Sequence, residues 1–377
     1  FGLSFCVCPL VIHWCRHCKL GADTTDGVQR LHHTAIPRLG GIPLATAFVV
    51  ALLVAAWLEP DTRRLGLLLL VVMLPTFVAG MAEDFTQRVG MKLRLLATMA
   101  SAALGVWLLG ALLTRVSIPG VDGILANYWI AAVIITLVAG AGVPHAINIV
   151  DGCNGLSSSV GIAAFVGLGV MAWSLGDSFV ATICLLAASA TLGFALWNFP
   201  RGKIFLGDGG AYSMGVLIAE MSILLIVRHP QVSAWFALLL IIHPVLEVLF
   251  SCLRRGRHGW GKMFEPDARH LHQLVYRRMF SRWLNTRNPN QQAWASAFTS
   301  LMFALWHIIL LVLALVFWDN SLALVLCLAG FVVAYTLSYR FLVARRPRLP
   351  GTRPEFLRAR NDTTSSPVTQ TQNSRSA

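Results

Sequence analysis

Four acidic residues stand where a polar connection meets an apolar run: Glu83, Asp84, Asp151 and Asp208. The chain has only 17 Asp and Glu among its 377 residues, so that placement is informative. Carboxylates gathered at helix ends on one face suit a shared hard cation such as Mg2+, which prefers carboxylate oxygen and commonly brings phosphate with it. The ordinary alternative is helix capping. Asp84 suits the exit of one helix, and Asp208 the start of another from Gly209 onward.

The flanking residues favour chemistry over capping. Asp208 follows Asn198-Phe-Pro-Arg-Gly-Lys-Ile-Phe-Leu-Gly and precedes Gly-Gly-Ala-Tyr-Ser. Glycines let a backbone approach phosphate closely, and a following helix start presents amides to an anion. Lys203 and Arg201 add positive charge, and no Walker Lys-Ser/Thr pair follows. A second constellation, Asn148-Ile-Val-Asp151-Gly152-Cys-Asn154-Gly155-Leu-Ser, has no basic residue. Its Asp-Gly turn predicts a tight loop presenting amides and carboxamides to a ligand, with a turn held by Asx hydrogen bonds as the alternative. Asn148, Asp151 and Asn154 are three apart and share a face if the loop is helical. A third, His270-Leu-His272-Gln273, suits phosphate binding, acid–base work or a plain interfacial position; spacing does not choose among them.

The elements that must position these residues are transmembrane helices. Hydrophobic residues make up 56% of the chain and charged ones 12%, which leaves too little polar surface for a water-soluble fold. Ten apolar stretches are long enough to span a bilayer, at about 40–58, 66–82, 95–114, 127–145, 158–175, 179–196, 211–227, 233–253, 294–317 and 321–340. A shorter run, Phe1–Trp14, begins without Met and predicts an eleventh helix whose start precedes the sequence. A cleaved signal peptide is the competing reading, but no small-residue cleavage site precedes the basic flank Arg16–Lys19. The fold class expected is therefore an all-α, polytopic transmembrane bundle of about eleven spans. It forms one domain over 1–341, followed by a basic, disordered tail over 342–377.

Charge orients the bundle. Counted from the N-terminus, the odd connections and the tail hold 26 of the 30 Lys and Arg residues; the even ones hold Arg63, Arg64, Arg115 and Arg228. The positive-inside rule places the odd connections, and with them every candidate residue above, in the cytoplasm, and the N-terminus outside. Topology and anionic lipids thus account for the net charge of +13 without nucleic acid. Cys6, Cys8, Cys15 and Cys18 crowd the first helix beside His13 and His17, but no second ligand pair follows at zinc-site spacing. Over 266–283, apolar residues at helical spacing predict a helix lying at the membrane surface.

Taken in order, these motifs resemble the polyprenyl-phosphate N-acetylhexosamine-1-phosphate transferases of glycosyltransferase family 4. The resemblance runs from about Arg30 to Arg282. Arg30-Leu-His32-His33 through Pro37-Arg38-Leu-Gly40-Gly41 resembles the family's first loop, and Gly80-Met-Ala-Glu83-Asp84, with Lys92 and Arg94 following, its acidic pair. Asn148–Leu156 resembles its Asn-x-x-Asp-Gly loop, Asn198-Phe-Pro with Phe205-Leu-Gly-Asp208 its metal loop, and Pro266-Asp267 through His272 its histidine motif. The chain has Glu83 where many members have Asp, Asn154 where other branches have Asp, and Gln273 where several branches have His. These departures point to the branch that initiates O-antigen.

The resemblance implies that undecaprenyl phosphate attacks the β-phosphorus of a UDP-N-acetyl sugar and releases UMP, at the cytoplasmic face of the bacterial inner membrane. Mg2+, with Mn2+ as the alternative ion, is assigned to Asp208 and Asp84, and proton acceptance to Glu83. Asp151 and Asn154, in the loop opened by Asn148, fall at the nucleotide. His270 and His272, with Arg38 and Lys203, fall at the phosphates. Membrane lipids are the expected surroundings, and a homodimer is left open. The competing class is a transporter or lipid flippase, which would place working acids inside the bilayer, where Glu220 and Glu247 fall. Glu247, one turn after His243 near the cytoplasmic end of its span, equally suits support of the site or the fold. No internal repeat favours a transporter.

Overall fold

A computed structural model describes residues 1–18, 36–256, 269–281, 284 and 288–344. Arg30–Ala35 of the first loop, Pro266-Asp267 of the histidine motif and the tail beyond Ala344 lie outside the described residues. The helices are α1 (Gly2–Cys18), α2 (Gly41–Leu58), α3 (Pro60–Thr86), α4 (Met91–Leu104), α5 (Val121–Asn127), α6 (Trp129–Val150) and α7 (Leu156–Ser174). They continue as α8 (Ser178–Asn198), α9 (Gly207–Arg228), α10 (Ala234–Leu240), α11 (Ile242–Gly256), α12 (Leu271–Val275), α13 (Pro289–Val316) and α14 (Ser321–Ala344). Among the described residues, nine helices are long and apolar enough to cross a membrane, and the bent pair α10–α11 brings the number to ten. The expected first span, α1, is 17 residues long. The chain is an all-α polytopic membrane bundle.

Two spans depart from the straight helices expected of them. The stretch 233–253 bends by 79° between α10 and α11. Pro244, in the first turn of α11, explains the break: it has no N–H to offer the Leu240 carbonyl. The stretch 95–114 starts earlier, at Met91, widens into a π turn over Gly105–Leu109 and leaves the helix at Gly110, whose φ is +69°.

α9 is the axis of the bundle. Gly207 through Ile226 are all buried, and α2, α3, α6 and α7 pack against it. A helix apolar on every side belongs inside, and small residues let its neighbours come close. A Cβ on Gly80 of α3 would lie 2.7 Å from the backbone of Gly209. The end of α3 therefore packs directly against the start of α9, and that contact assembles the site.

Candidate active site

The carboxylate of Asp208 lies at the first turn of α9, where four elements converge on it. Arg38 Nη2 lies 3.3 Å from Oδ1, Asn148 Nδ2 donates to the same oxygen at 3.0 Å, and Arg94 pairs with Oδ2. Arg38 is held there by backbone pairing: Phe205 N–H donates to the Pro37 carbonyl at 2.8 Å, and Gly40 N–H to the Phe205 carbonyl at 2.9 Å. Asp84, from the end of α3, accepts the N–H groups of Asp208 and Gly209, one on each oxygen, both at 2.8 Å. It thus caps α9 across space and does not cap the exit of its own helix. Gly207 makes the close fit possible. Its φ is +74°, and a Cβ there would strike the Arg38 carbonyl and lie 2.7–2.8 Å from the Asp84 carboxylate.

Glu83, next to Asp84 and half-buried, accepts Val89 N–H on Oε2 at 2.7 Å. His145 and Tyr212 form a further wall. Tyr212 Oη is 3.3 Å from His145 Nδ1, and the Arg94 guanidinium lies 6.0 Å over the Tyr212 ring. Between α3 and α4 runs an apolar groove of about 420 Å³, lined by Leu74, Val78, Ala82, Val89 and Leu93 among others. Two of its lining residues, Ala82 and Leu93, directly precede Glu83 and Arg94 in the sequence.

The loop between α6 and α7 lies beside this cluster. Asp151 accepts the Ser157 hydroxyl at 2.6 Å. Enclosure by protein pushes its carboxyl up to about 7; the Ser157 hydroxyl and Arg38 pull it down, and Asp208 adds to the rise. Asn154 is buried and structural in its contacts. Its N–H donates to Ser296 Oγ at 2.9 Å and its side-chain amide to the Pro200 carbonyl at 2.9 Å, while its Oδ1 has no partner. Asn198 joins the same two loops, accepting Gly155 N–H and donating to the Ile204 carbonyl at 2.8 Å. Burial holds the Cys153 thiol protonated, up to about 12.

The histidine motif does not lie on the surface. Leu271 through Tyr276 are buried, and α12 packs against α13 and α14. Glu247 of α11 meets both rings: His270 Nδ1 is 3.1 Å from Oε2 and His272 Nδ1 is 3.1 Å from Oε1. Burial lowers the His272 pKa, opposed by Glu247.

Residues 66–226 match the glycosyl transferase family 4 model. The chain is also 29% identical, over 59% of its length and 72% of the relative's, to a phospho-N-acetylmuramoyl-pentapeptide-transferase of Geobacillus kaustophilus. It is 26% identical, over 68% of its length and 70% of the relative's, to a probable undecaprenyl-phosphate N-acetylglucosaminyl 1-phosphate transferase of Bacillus subtilis. A Staphylococcus carnosus phospho-N-acetylmuramoyl-pentapeptide-transferase is 25% identical over 72% of this chain and 87% of its own. The similarity to glycosyl transferase family 4 thus covers the stretch that carries Asp84, Asn148, Asp151 and Asp208. The chain is a multi-pass membrane protein, and the relatives it matches are named as phosphosugar transferases.

The residues singled out from sequence fall into two groups. Arg38, Asp84, Asn148 and Asp208 form one cluster, with Glu83 next to Asp84 and Asp151 beside it. His270 and His272 form a second, built on Glu247. Lys203 is exposed, with its Nζ 4.7 Å over the Trp197 ring. His145 and Tyr212 were not picked from sequence, while Arg94 was noted after the acidic pair and Glu247 as suited to supporting the site or the fold, neither with an assigned role. Their common signal is a polar group set into or at the edge of an apolar span, where burial without a partner is costly.

The Asp208 cluster offers a hard cation two carboxylates; among the described residues no three His, Cys, Asp or Glu side chains gather to hold a metal. Mg2+ is characteristically held by one or two carboxylates together with substrate phosphates and water. Asp208 offers both oxygens, balanced in this structure by two guanidinium groups. Each Asp84 oxygen already accepts an amide, leaving one lone pair apiece for a metal.

Proposed function

We propose that this chain transfers an N-acetylhexosamine 1-phosphate from a UDP-sugar to undecaprenyl phosphate, releasing UMP, at the cytoplasmic face of the bacterial inner membrane. The observation that carries this reading is the convergence of Arg38, Arg94 and Asn148 on Asp208 at the start of α9, with Asp84 beneath it. Two cations, a carboxamide and a helix N-terminus around one acid suit a pyrophosphate with its counter-ion.

In the reaction, an oxygen of the lipid phosphate bonds to the β-phosphorus of the UDP-sugar. The bond from that phosphorus to the bridging oxygen breaks, and UMP leaves. Asp208 would hold Mg2+ or Mn2+, with Asp84 behind it; when bound, the ion supplies charge neutralisation for the pyrophosphate and the departing UMP. Arg38 and Arg94 grip phosphate oxygens. Glu83 takes the proton of a monoprotonated lipid phosphate on Oε1, its other oxygen being committed to Val89. Asp151 receives the nucleotide, and Asn154 holds the loop that carries it. His270, His272 and Lys203 add phosphate contacts. The α3–α4 groove offers apolar surface for an isoprenoid tail next to Glu83.

The replacements at Glu83, Asn154 and Gln273 favour an O-antigen-initiating enzyme, for which UDP-linked N-acetylglucosamine, N-acetylfucosamine and N-acetylquinovosamine are the sugars to screen. Purified protein with Mg2+, undecaprenyl phosphate and each sugar should yield UMP and a sugar-pyrophospholipid in equal amounts. Absence of both products with every sugar refutes the proposal. Full turnover by Asp208→Asn refutes the assignment of the cation to Asp208.

A further inference from the structure

Glu247 is buried in α11, yet it is among the most heavily hydrogen-bonded side chains described. Its Oε2 faces His270 Nδ1 at 3.1 Å, Leu271 N–H at 3.1 Å and the Tyr335 hydroxyl at 3.0 Å. Its Oε1 faces His272 N–H at 3.3 Å and His272 Nδ1 at 3.1 Å, with His243 Nε2 3.6 Å away. Two of these partners are backbone N–H groups that can only donate. A carboxylate has about four lone-pair sites and no hydrogen, so the ring nitrogens facing it carry the hydrogens. This fixes the tautomer. In a neutral ring with Nδ1–H, Nε2 is an acceptor.

That nitrogen has somewhere to point. His272 Nε2 is buried and has no hydrogen-bond partner, and it lies 3.0 Å from where a Cβ on Gly152 would be. The two imidazoles are stacked, with centroids 5.6 Å apart and planes 10° from parallel, so one carboxylate sets both. Beyond that 3.6 Å separation, His243 Nδ1 lies 3.0 Å from His307 Nε2, and His307 Nδ1 lies 3.0 Å from Ser159 Oγ on α7.

We propose that Glu247 is a positioning residue for the transfer reaction, fixing His270 and His272 with Nδ1–H toward its carboxylate and aiming His272 Nε2 at the Asp151–Gly152 turn. The role in turnover rests on the transferase reading; the ring geometry does not. A carboxylate that orients imidazoles through Nδ1 leaves Nε2 to meet a phosphate or nucleotide oxygen, as an acceptor when the ring is neutral and a donor when it is protonated. Removing it should therefore act on turnover through ring placement, on the order of 100-fold for a displacement of about 1 Å.

The test uses the full chain, ¹⁵N-labelled at histidine and reconstituted in lipid nanodiscs, with His270→Asn and His272→Asn spectra assigning the two rings. Both rings should show protonated Nδ1 in the unsubstituted protein. Glu247→Gln offers a single acceptor oxygen and should release Nδ1–H at one ring or both while lowering kcat far more than it raises KM. Glu247→Asp should restore part of each. Loss of turnover with unchanged ring signals would overturn the proposal, as would two neutral rings protonated at Nε2 in the unsubstituted protein. That second observation remains decisive if Glu247→Gln does not fold. If no UDP-sugar yields UMP, the transferase reading fails, while the ring spectra still decide how Glu247 holds the histidines.

Discussion

Asp84→Asn is the most informative single change, because the structure gives Asp84 a definite task. Its two oxygens accept the amides of Asp208 and Gly209 at 2.8 Å each. Hydrogen bonds to a charged acceptor are worth about 1.5–3 kcal/mol apiece, so the pair contributes roughly 3–6 kcal/mol. Asparagine keeps one acceptor oxygen, in a neutral bond of about 0.5–1.5 kcal/mol, and turns an NH2 group toward the other amide. The net loss is on the order of 2–4 kcal/mol, and it falls on the turn that carries Asp208. If that turn must be in place for reaction, turnover drops by roughly 30- to 1,000-fold at 1.36 kcal/mol per factor of ten. UMP release by purified Asp84→Asn, measured across a Mg2+ titration, checks this. Because the loss lies in the placement of Asp208, saturating Mg2+ should not recover it. Turnover and thermal stability both equal to those of the unsubstituted protein would refute the capping argument. Full recovery at high Mg2+ would instead make Asp84 chiefly a ligand.

Further expectations follow from the same geometry. Gly207→Ala should abolish turnover and lower the yield of folded protein, because its Cβ would meet Arg38 and Asp84 from a backbone at φ +74°. Gly142→Ala in α6, with nothing within 4 Å of its Cβ, should leave activity unchanged, as parallel UMP assays would show. Asp151 has a folded pKa raised to about 7, so the folded state binds more protons than the unfolded one, and this group costs stability as pH rises from about 4 to 7. Asp151→Asn should therefore raise the ligand-free thermal midpoint at pH 8 and leave it nearly unchanged at pH 4; an equal shift at both refutes the assignment. Asn198→Asp leaves the Ile204 carbonyl without its donor and should destabilise the protein by about 1–3 kcal/mol in denaturation measurements.

How much of this was legible in the sequence depended on whether a residue's partners were near it in the chain. The spans were legible because apolar length is a local property, and eight of the ten proposed stretches are unbroken helices. The bend at Ile241 also had a local signal, Pro244, which the run of apolar residues around it masked. The motif acids were legible because each carries its glycines and asparagines beside it. Which oxygen meets which amide was not. Asp84 and Gly209 are 125 positions apart, and only the packing of α3 against α9 turns a helix-exit acid into the cap of a different helix. The surface helix expected near 270 went wrong for the same reason. Its histidines read as polar, but the carboxylate that lets them be buried belongs to another helix.

The acids of this chain divide by what surrounds them more than by where they fall in the sequence. Asp208 is held by side chains that a phosphate can also bind, so its present partners are ones it can exchange. Asp84 is held by backbone amides and Glu247 largely by fixed donors, and neither can leave its partners without moving a helix end. A working acid needs partners that can exchange, and a positioning acid needs partners that cannot. By that criterion, Glu247 inside the bilayer is no sign of a transport path. It is the means by which α11, after its bend at Pro244, brings the histidines of α12 to the loop that carries Asp151.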